Sequence, residues 1–423
     1  MHVDIDGGRL LERLEALAEI GPITGASGER GSARLALTDA DRDGRDLVLG
    51  WMRDLGLDVS IDAIGNVIAV MGEGCGHRSG RAPVLCGSHI DTVATGGRFD
   101  GNLGVLAGLE VIESVLAAGL ELRHPLGVGF FTDEEGARFA PDMLGSLVYA
   151  GGMTVEQAHD IRAADPGGPG PTVRDELERI GYLGSSPCPG SPPHAFVELH
   201  VEQGPVLEAE GLRIGAVTGV QGISWTRVTF TGQSNHAGTT PMSMRRDPAA
   251  ALARIAVFVN DLADRFGAPQ VATVGRIELH PNLVNVVPSR ATFTVDLRNT
   301  DEVVLCRAEE ELAAELARVA ERHGVTVETE CLARFEPVAF DERIVSRVEA
   351  AAAARGLSVR RMPSGAGHDA QMLARMCPSG MVFVPSIGGV SHNPAELTED
   401  ADLVAGCQVM ADVMLDLADG GDW

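Results

Sequence analysis

Short apolar runs of strand length alternate with longer helical stretches along much of the chain. The strand-like "PVLCGSH" from Pro83 precedes the helix-like "NLGVLAGLEVIESVLAAG" from Asn102, and the strand-like "PLGVGFFTDEE" begins at Pro125. Two further apolar runs are "HAFVELHVEQG" from His194 and "MVFVPS" from Met381. Apolar strands separated by helices are typical of a largely parallel sheet. The pattern therefore predicts an α/β fold with a mostly parallel sheet and helices on both faces.

Residues 213–329 have a different character. Strands of alternating polarity, such as "GISWTRVTFTG" and "SRATFTVDLRN", surround two amphipathic helical stretches, "DPAAALARIAVFVNDLADRFG" and "EVVLCRAEEELAAELARVAERHG". This arrangement predicts an inserted α+β domain with an antiparallel sheet and two helices. The α/β domain is then divided into residues 1–212 and 330–423. The Pro- and Gly-rich segment 165–193 is predicted to be a loop-rich excursion.

Composition narrows the possible partners and compartments. The net charge of −26 argues against nucleic acid or an anionic membrane as a partner. The 7 cysteines form no CxxC pair, which favours reduced thiols. The N-terminus lacks the pattern of a signal peptide, and no apolar run approaches the roughly 20 residues that cross a membrane. We therefore expect a soluble, cytoplasmic protein with no membrane partner.

Polar residues follow the ends of several predicted strands. His89 and His200 end two of the apolar runs, Glu134 and Glu135 end a third, and His392 follows a fourth after a short loop. In an open α/β sheet, ligands bind beyond the carboxyl ends of the strands. Imidazole and carboxylate groups that converge there suit a metal ion. Any one of these histidines could instead be structural, but adjacent acids directly after a buried strand need cations or donors to offset them.

Ordered motifs across nearly the whole chain give the sequence a family resemblance. They are "GSHIDTVATGGRFDG", "FTDEEGARF", "ELHVEQGPVLE", "GQSNHAGTTPM", "PNLVNVVP", "SGAGHDAQ" and "SHNPAE". Together they resemble the amidase/carbamoylase branch of the M20 metallopeptidase-like hydrolases. That branch contains N-carbamoyl-L-amino acid hydrolases, allantoate amidohydrolases and β-ureidopropionases. The resemblance implies that the inserted domain is a lid and dimerisation domain attached to a catalytic domain.

The resemblance also implies a site for two divalent metal ions. In it, Asp100 bridges both ions, and the glycines of its loop let Asp100 return to the site of His89. The remaining ligands are His89 and His200 for one ion, and Glu135 and His392 for the other. Zinc, manganese, cobalt and nickel all suit such ligands.

Two acidic residues have implied roles beside the metals. Asp91 orients His89 without binding metal. Glu134 is the general base that takes a proton from the attacking water and delivers it to the leaving nitrogen.

Further residues are implied to stabilise the transition state and bind substrate. His236 donates to the oxyanion in the active site of the neighbouring subunit, so a homodimer is expected; a turn-capping role is its alternative. Gln203, Asn285 and Arg298 hold the ureido and carboxylate groups, although Arg298 could instead form a salt bridge at its strand end. Gly365 offers backbone groups to the substrate. His368 is expected to lie behind the ligands.

Other functions fit the sequence less well. "GAGHDA" satisfies a relaxed dinucleotide fingerprint but leaves the histidines and acids unexplained, and GxSxG, HExxH and GxxxxGK[ST] are absent. A non-catalytic ligand-binding homologue would be expected to have lost Glu134 or a ligand. An M20-type peptidase or deacylase remains an alternative.

We therefore predict a metal-dependent amidohydrolase of the EC 3.5 type. It would cleave the carbamoyl C–N bond of an N-carbamoyl-L-amino acid or an allantoate-like ureido acid and release ammonia and carbon dioxide.

Overall fold

The computed structural model describes residues 2–75, 80–164 and 170–420. The chain forms two compact units, one of Met1–Thr218 with Phe340–Trp423 and one of Gly219–Ala339. The boundaries expected from the sequence, after residues 212 and 329, lie 6 and 10 residues before those after Thr218 and Ala339.

The helices begin at polar caps in most cases, as at Thr38, whose hydroxyl accepts the amide of Asp41, and at Asp301, whose carboxylate accepts the amide of Val303. In chain order they are α1 (Gly7–Ala18), α2 (Asp39–Asp54), α3 (Asn102–Ala117), α4 (Leu144–Tyr149), α5 (Val155–His159), α6 (Val173–Ile180), α7 (Val206–Glu210), α8 (Pro248–Phe266), α9 (Glu302–His323), α10 (Glu342–Ala354), α11 (Asp369–Leu373) and α12 (Asp400–Asp419).

The strands include all four strand-like apolar runs quoted above, as β5, β6, β7 and β17. In chain order they are β1 (Pro22–Thr24), β2 (Arg30–Ser32), β3 (Asp58–Ile61), β4 (Val67–Val70), β5 (Val84–His89), β6 (Leu126–Phe131), β7 (Ala195–Val201), β8 (Ile214–Val220), β9 (Gly222–Thr231), β10 (Asn235–His236), β11 (Val271–His280), β12 (Val286–Val287), β13 (Arg290–Asn299), β14 (Thr326–Phe335), β15 (Val338–Ala339), β16 (Val359–Ser364) and β17 (Ser379–Val384).

The main sheet of the first unit has a parallel centre. Its strand order is β8-β17-β7-β5-β6-β4-β3, with β16 paired to β8. The four central strands β17, β7, β5 and β6 are parallel to one another. The outer pairs β17–β8, β6–β4 and β4–β3 are antiparallel. The predicted α/β class with a mostly parallel central sheet is confirmed, with antiparallel strands added at both sides.

Every residue of the four central strands is buried, which requires cover on both faces of the sheet. Helix α3 contacts β5, β6 and β7, and α12 contacts β17, β7 and α3. Helix α11 contacts β7 and β17 and packs against α4. Because nearly all residues of α3 are apolar and buried, its sequence lacks the one-sided pattern of a surface helix.

The segment 165–193, predicted to be loop-rich, contains a helix. Residues 165–169 lie outside the described residues, but Val173–Ile180 forms α6. Thr172 accepts the amide of Asp175, and the Asp175 side chain accepts the amide of Thr172. This reciprocal capping box stabilises the first turn of a helix that the surrounding prolines and glycines obscure.

The second unit is an α+β unit with an antiparallel sheet. Its strand order is β11-β13-β9-β14, and the short strands β10 and β12 form a separate antiparallel pair. Helices α8 and α9 pack against each other and against this sheet. Their shared core includes Phe230, Ile255, Phe293 and Leu312. Among the described residues, no helix is both long and apolar enough to cross a lipid bilayer.

Candidate metal centre and active site

The carboxyl ends of the parallel strands bring the predicted ligands of the first unit together. His89 is the last residue of β5, and His200 is the second-to-last residue of β7. Glu135 follows β6 after a short loop, and His392 follows β17. Because these strands run in the same direction, their carboxyl ends share one edge of the sheet.

Asp100 lies between two groups of these side chains. Its Oδ1 atom is 3.2 Å from His200 Nε2 and 3.7 Å from His89 Nε2. Its Oδ2 atom is 3.5 Å from His392 Nε2, which also lies 3.1 Å from Glu135 Oε2. One carboxylate therefore presents a different oxygen to each of two ligand sets.

The imidazoles of His89 and His200 are oriented by backbone carbonyl groups. His89 Nδ1 is 2.9 Å from the carbonyl oxygen of Asp91, and His200 Nδ1 is 2.9 Å from that of Val201. A carbonyl oxygen only accepts, so each Nδ1 carries the hydrogen. In the neutral ring, Nε2 then directs its lone pair toward Asp100. His200 Nε2 also accepts the backbone amide of Gly101 at 3.2 Å. The His89 Nε2 lone pair, 3.7 Å from Asp100 Oδ1, needs a cation or a proton between it and the carboxylate, which fits a metal site.

The acid–base properties of these groups agree with a strong cation site. Burial disfavours the charged form of His200, but the hydrogen bond and charge of Asp100 outweigh it and raise its pKa to about 9. The hydrogen bond with Glu135 raises the pKa of His392 to about 9, against the effect of burial. Burial of Asp100 is likewise outweighed by His200, His89 and His392, which lower the pKa of Asp100. The raised imidazole pKa values show that this group of side chains favours positive charge.

Glu134 is a buried carboxyl group beside the ligand sets. Its Oε2 atom is 3.4 Å from His89 Nε2. Burial raises the pKa of Glu134 well above its usual value, and the charges of Asp369 and Glu135 raise it further. A cation nearby would oppose these effects. A carboxyl group balanced in this way can both take and return a proton.

Asp91 joins the segments that follow β5 and β6. Its Oδ1 accepts the amide of Glu134 and its Oδ2 accepts the amide of Glu135, each at 3.3 Å. The carboxylate is 3.9 Å from His89 Nδ1, whereas the Asp91 carbonyl oxygen is in hydrogen-bond contact with that atom. Asp91 therefore orients His89 through its backbone, and its carboxylate orients the two glutamates.

Gly101 allows the loop to bring Asp100 to this position. Its φ of +67° lies in the left-handed region, and a Cβ there would overlap the His89 ring. Glycine is the residue that tolerates both conditions. The "FDG" sequence thus combines a carboxylate with the turn that directs it back to His89.

Gln203, predicted to bind substrate, also contacts Asp100. Gln203 has a φ of +56° and its Nε2 donates to Asp100 Oδ2 at 2.9 Å. Its backbone amide donates to Ser386 Oγ at 3.0 Å, and no described donor meets its buried Oε1 atom. Gln203 thus has a left-handed backbone conformation and a buried Oε1 beside Asp100. This oxygen is suited to accept a hydrogen bond from an N–H group of a substrate.

Residues after β16 lie behind the His200 ring. The His368 ring lies edge-on to the His200 ring, with centroids 4.5 Å apart, and its Nε2 is 2.8 Å from Ser364 Oγ. Gly365 lies in the same turn, before α11. His200, His368 and Glu198 also form a group whose possible ligand atoms lie within 4.8 Å of one another. Glu198 accepts from Ser88 Oγ and from the amide of Ala370, so it is already hydrogen-bonded.

His236, Asn285 and Arg298 belong to the second unit. His236 is exposed, and its Nδ1 accepts the backbone amides of Gly238 and Thr239. Asn285 lies on the neighbouring segment, where its backbone carbonyl accepts the amide of Ala237. The turn contact that sequence analysis left as an alternative for His236 is therefore present in this unit.

Arg298 lies on β13, with its guanidinium near two side chains of the same sheet. Its Nη2 donates to Asp296 Oδ2 at 2.9 Å, and its Cζ lies 5.8 Å from the centroid of the Trp225 ring. The strand ion pair considered for Arg298 is thus present as well.

Sequence reasoning did not identify Glu396 as a site residue. Its side chain is buried and accepts the backbone amides of Phe99 and Asp100. The available signal was its place at the end of the "SHNPAE" motif that contains His392.

Comparison with known proteins shows similarity over nearly the whole chain. Residues 85–416, which include all these first-unit ligands, match Peptidase family M20/M25/M40. An N-carbamoyl-L-amino-acid amidohydrolase from Rhizobium meliloti is 41% identical over 415 residues, covering 98% of this chain and 97% of the relative. An allantoate amidohydrolase from Escherichia coli (strain K12) is 38% identical over 366 residues, covering 86% and 87% respectively. The crystal structure of an amidase of the hydantoinase/carbamoylase family from Burkholderia multivorans aligns with a TM-score of 0.92 and 44% identity over 98% of both chains.

Proposed function

The chain belongs to peptidase family M20/M25/M40, in its amidase/carbamoylase branch, and from this premise we propose that it is a two-metal hydrolase of a ureido acid. Amidohydrolase chemistry on non-peptide C–N bonds follows from relatives that are similar over nearly their full length. The observation that carries the two-metal proposal is the division of the Asp100 oxygens between two ligand sets.

Each ligand set would hold one divalent ion. His89 and His200 with Asp100 Oδ1 form the first set, and Glu135 and His392 with Asp100 Oδ2 form the second. When bound, the ions would polarise the substrate carbonyl and lower the pKa of the attacking water. Zinc, manganese, cobalt and nickel are all compatible with these nitrogen and oxygen ligands.

Glu134 would move the proton. Its backbone amide donates to the Asp91 carboxylate, and its own carboxylate lies beside the His89 ligand set without a place in either set. It would accept a proton from the attacking water and return it to the leaving nitrogen, so that the C–N bond breaks with an amine or ammonia as the leaving group. The carbamate formed in this step would then decompose, its remaining C–N bond breaking to give carbon dioxide and the second nitrogen product.

Polar side chains and backbone groups would recognise the substrate. Gln203, Asn285 and the turn containing Gly365 would contact the ureido group. Arg298 would exchange its contact with Asp296 for the carboxylate of the substrate, since its planar fork suits either carboxylate. His236, exposed on its unit, would donate to the oxyanion in a partner subunit, so we propose a homodimer with the second unit as its dimerisation and lid domain.

Measuring ammonia release by the metal-loaded protein tests this function. The panel is allantoate, N-carbamoyl-L-amino acids of several side-chain sizes and 3-ureidopropionate, with a chelated sample as the control. We expect chelator-sensitive turnover of an N-carbamoyl-L-amino acid or an allantoate-like ureido acid. Including N-acyl amino acids and dipeptides in the panel tests the alternative: turnover of those compounds alone would establish a deacylase or peptidase instead.

A further inference from the structure

Glu396 has no part in the chemistry proposed above, although it closes the motif that contains His392. Its side chain is 2% exposed. Its Oε1 atom accepts the backbone amide of Phe99 at 3.0 Å and that of Asp100 at 3.2 Å. A single carboxylate oxygen therefore fixes two consecutive peptide units, one of which carries the carboxylate shared by both ligand sets.

The second oxygen of Glu396 extends this contact to the side chain of Asp100. Ser391 Oγ is 3.3 Å from Glu396 Oε2 and 3.1 Å from Asp100 Oδ2. The single hydroxyl hydrogen of Ser391 can be donated to either carboxylate. Glu396 thus holds the backbone of Asp100, and Ser391 lies within hydrogen-bond distance of both carboxylates.

Gly97 is the position that makes room for Glu396. A Cβ at residue 97 would overlap the carboxylate and the Cβ of Glu396. Gly97 in "GGRFDG" and the acid of "SHNPAE" are therefore complementary, although they are distant in the sequence. Gly97 and Gly101 make room for different side chains, since Gly101 accommodates the His89 ring.

We propose that Glu396 is a positioning residue that fixes Asp100 between the two ligand sets and thereby determines the affinity for metal. The inference rests on the proposed two-metal function. Without an acceptor, the buried amides of Phe99 and Asp100 would have to find other partners, because buried N–H groups are rarely left unpaired. The turn that directs Asp100 toward His200 would then change its geometry, and both of its oxygens would leave their positions.

This role depends on the acceptor oxygen of Glu396 and not on its negative charge. Glu396→Gln keeps an oxygen that can accept both amides, whereas Glu396→Ala removes it. Zn²⁺ affinity is measured for both variants and for the native chain by competition with a chromophoric chelator. We expect Glu396→Ala to bind Zn²⁺ about 10- to 100-fold more weakly, as is usual when a group supporting a ligand is lost. Glu396→Gln should remain within about 3-fold of the native chain, well inside that range, and the turnover of Glu396→Ala should recover at raised Zn²⁺ concentration.

Asp62→Ala is the matched control. Asp62 is also buried, and its Oδ1 accepts the amides of Ile64 and Asn66 at 2.9 and 3.0 Å, in the connection between β3 and β4. Asp62→Ala should lower the melting temperature and leave Zn²⁺ affinity unchanged. Gly97→Ala would displace the Glu396 side chain without removing it, and should weaken Zn²⁺ binding as Glu396→Ala does. It therefore provides a second test of the role of Glu396 if Glu396→Ala does not fold.

Two results would overturn the inference. Native affinity in a folded Glu396→Ala or Gly97→Ala protein would show that Asp100 needs no such support. Equal losses in Glu396→Gln and Glu396→Ala would assign Glu396 a role through its charge or as a ligand. Failure of the native chain to bind Zn²⁺ is a separate outcome, which would refute the two-metal function together with this inference.

Discussion

The carboxylate of Asp91, in the loop after β5, accepts the backbone amide of Glu134 at 3.3 Å. This loop therefore holds the proposed proton carrier, which follows β6. The neighbouring amide, that of Glu135, is held by the other oxygen of the same carboxylate. The placement of Glu134 therefore depends on a side chain that contacts neither substrate nor metal in the proposed mechanism.

Asp91→Ala should reduce turnover while leaving His89 in place. The variant retains the backbone carbonyl that accepts from His89 Nδ1 but loses the acceptor for Glu134 and Glu135. We expect kcat to fall about 10- to 100-fold. Steady-state kinetics at saturating metal measure this. If kcat is unchanged, the hydrogen bonds to the two amides do not contribute to the placement of Glu134.

Glu134→Gln should bind two metal ions, fold normally and lose nearly all turnover. The amide side chain is the same size but cannot take a proton from water. General acid–base catalysis contributes about 10²- to 10⁴-fold, so a loss in this range is expected. Glu135→Gln is the comparison, because it should lose the ion of the second ligand set as well as activity. Near-native turnover by Glu134→Gln would rule out the role assigned to it.

Arg298→Ala should raise KM for ureido acids that carry a carboxylate. Charged hydrogen bonds contribute about 1.5–3 kcal/mol, which corresponds to roughly 10- to 100-fold in KM. Arg298→Lys should restore little, because a lysine lacks the planar fork. Arg276→Ala is the control, since Arg276 forms a similar pair with Glu278 two residues along a strand of the same unit. An unchanged KM in Arg298→Ala would show that Arg298 does not bind the substrate carboxylate.

Metal removal should lower thermal stability. Each ion bound only to the folded state contributes about 2.7 kcal/mol at a free concentration near 100 times its Kd. The metal-free chain also retains several buried carboxyl groups in mutual repulsion, including Glu134 and Glu135. Melting curves with and without a chelator, followed by metal replacement, test this. An unchanged melting temperature would mean that the folded state has no preference for metal.

Much of the candidate site could be predicted because its residues occur at strand ends. His89, Glu135 and His200 follow or end apolar runs that are recognisable without any structure, and parallel strands present those ends together. The directions of the outer strands could not be predicted in this way. An apolar run such as that of β8 has the same pattern whether its neighbour runs parallel or antiparallel to it.

Other features depend on contacts that a linear pattern does not contain. His89 contacts the carbonyl oxygen of Asp91, whereas the amide of Glu134 contacts its carboxylate. This division depends on the side-chain rotamers of His89 and Asp91. The fit of Glu396 against Gly97 joins two distant segments and becomes visible only when both are folded. The helix α6 did have a local signal, the Thr172 and Asp175 capping pair, but the prolines around it favoured a loop.

Solvent access differs sharply between the two ligand sets. The His392 side chain is 51% exposed, whereas those of His89 and His200 are 2% and 1% exposed. In terms of exchange kinetics, the ion of the second set would be the labile one, because its imidazole can swing into solvent without opening the sheet edge. The ion beside His89 and His200 would leave slowly, since its release requires the buried loop around Asp100 to open. A brief exposure to chelator would therefore produce a one-metal protein in which the buried ion persists.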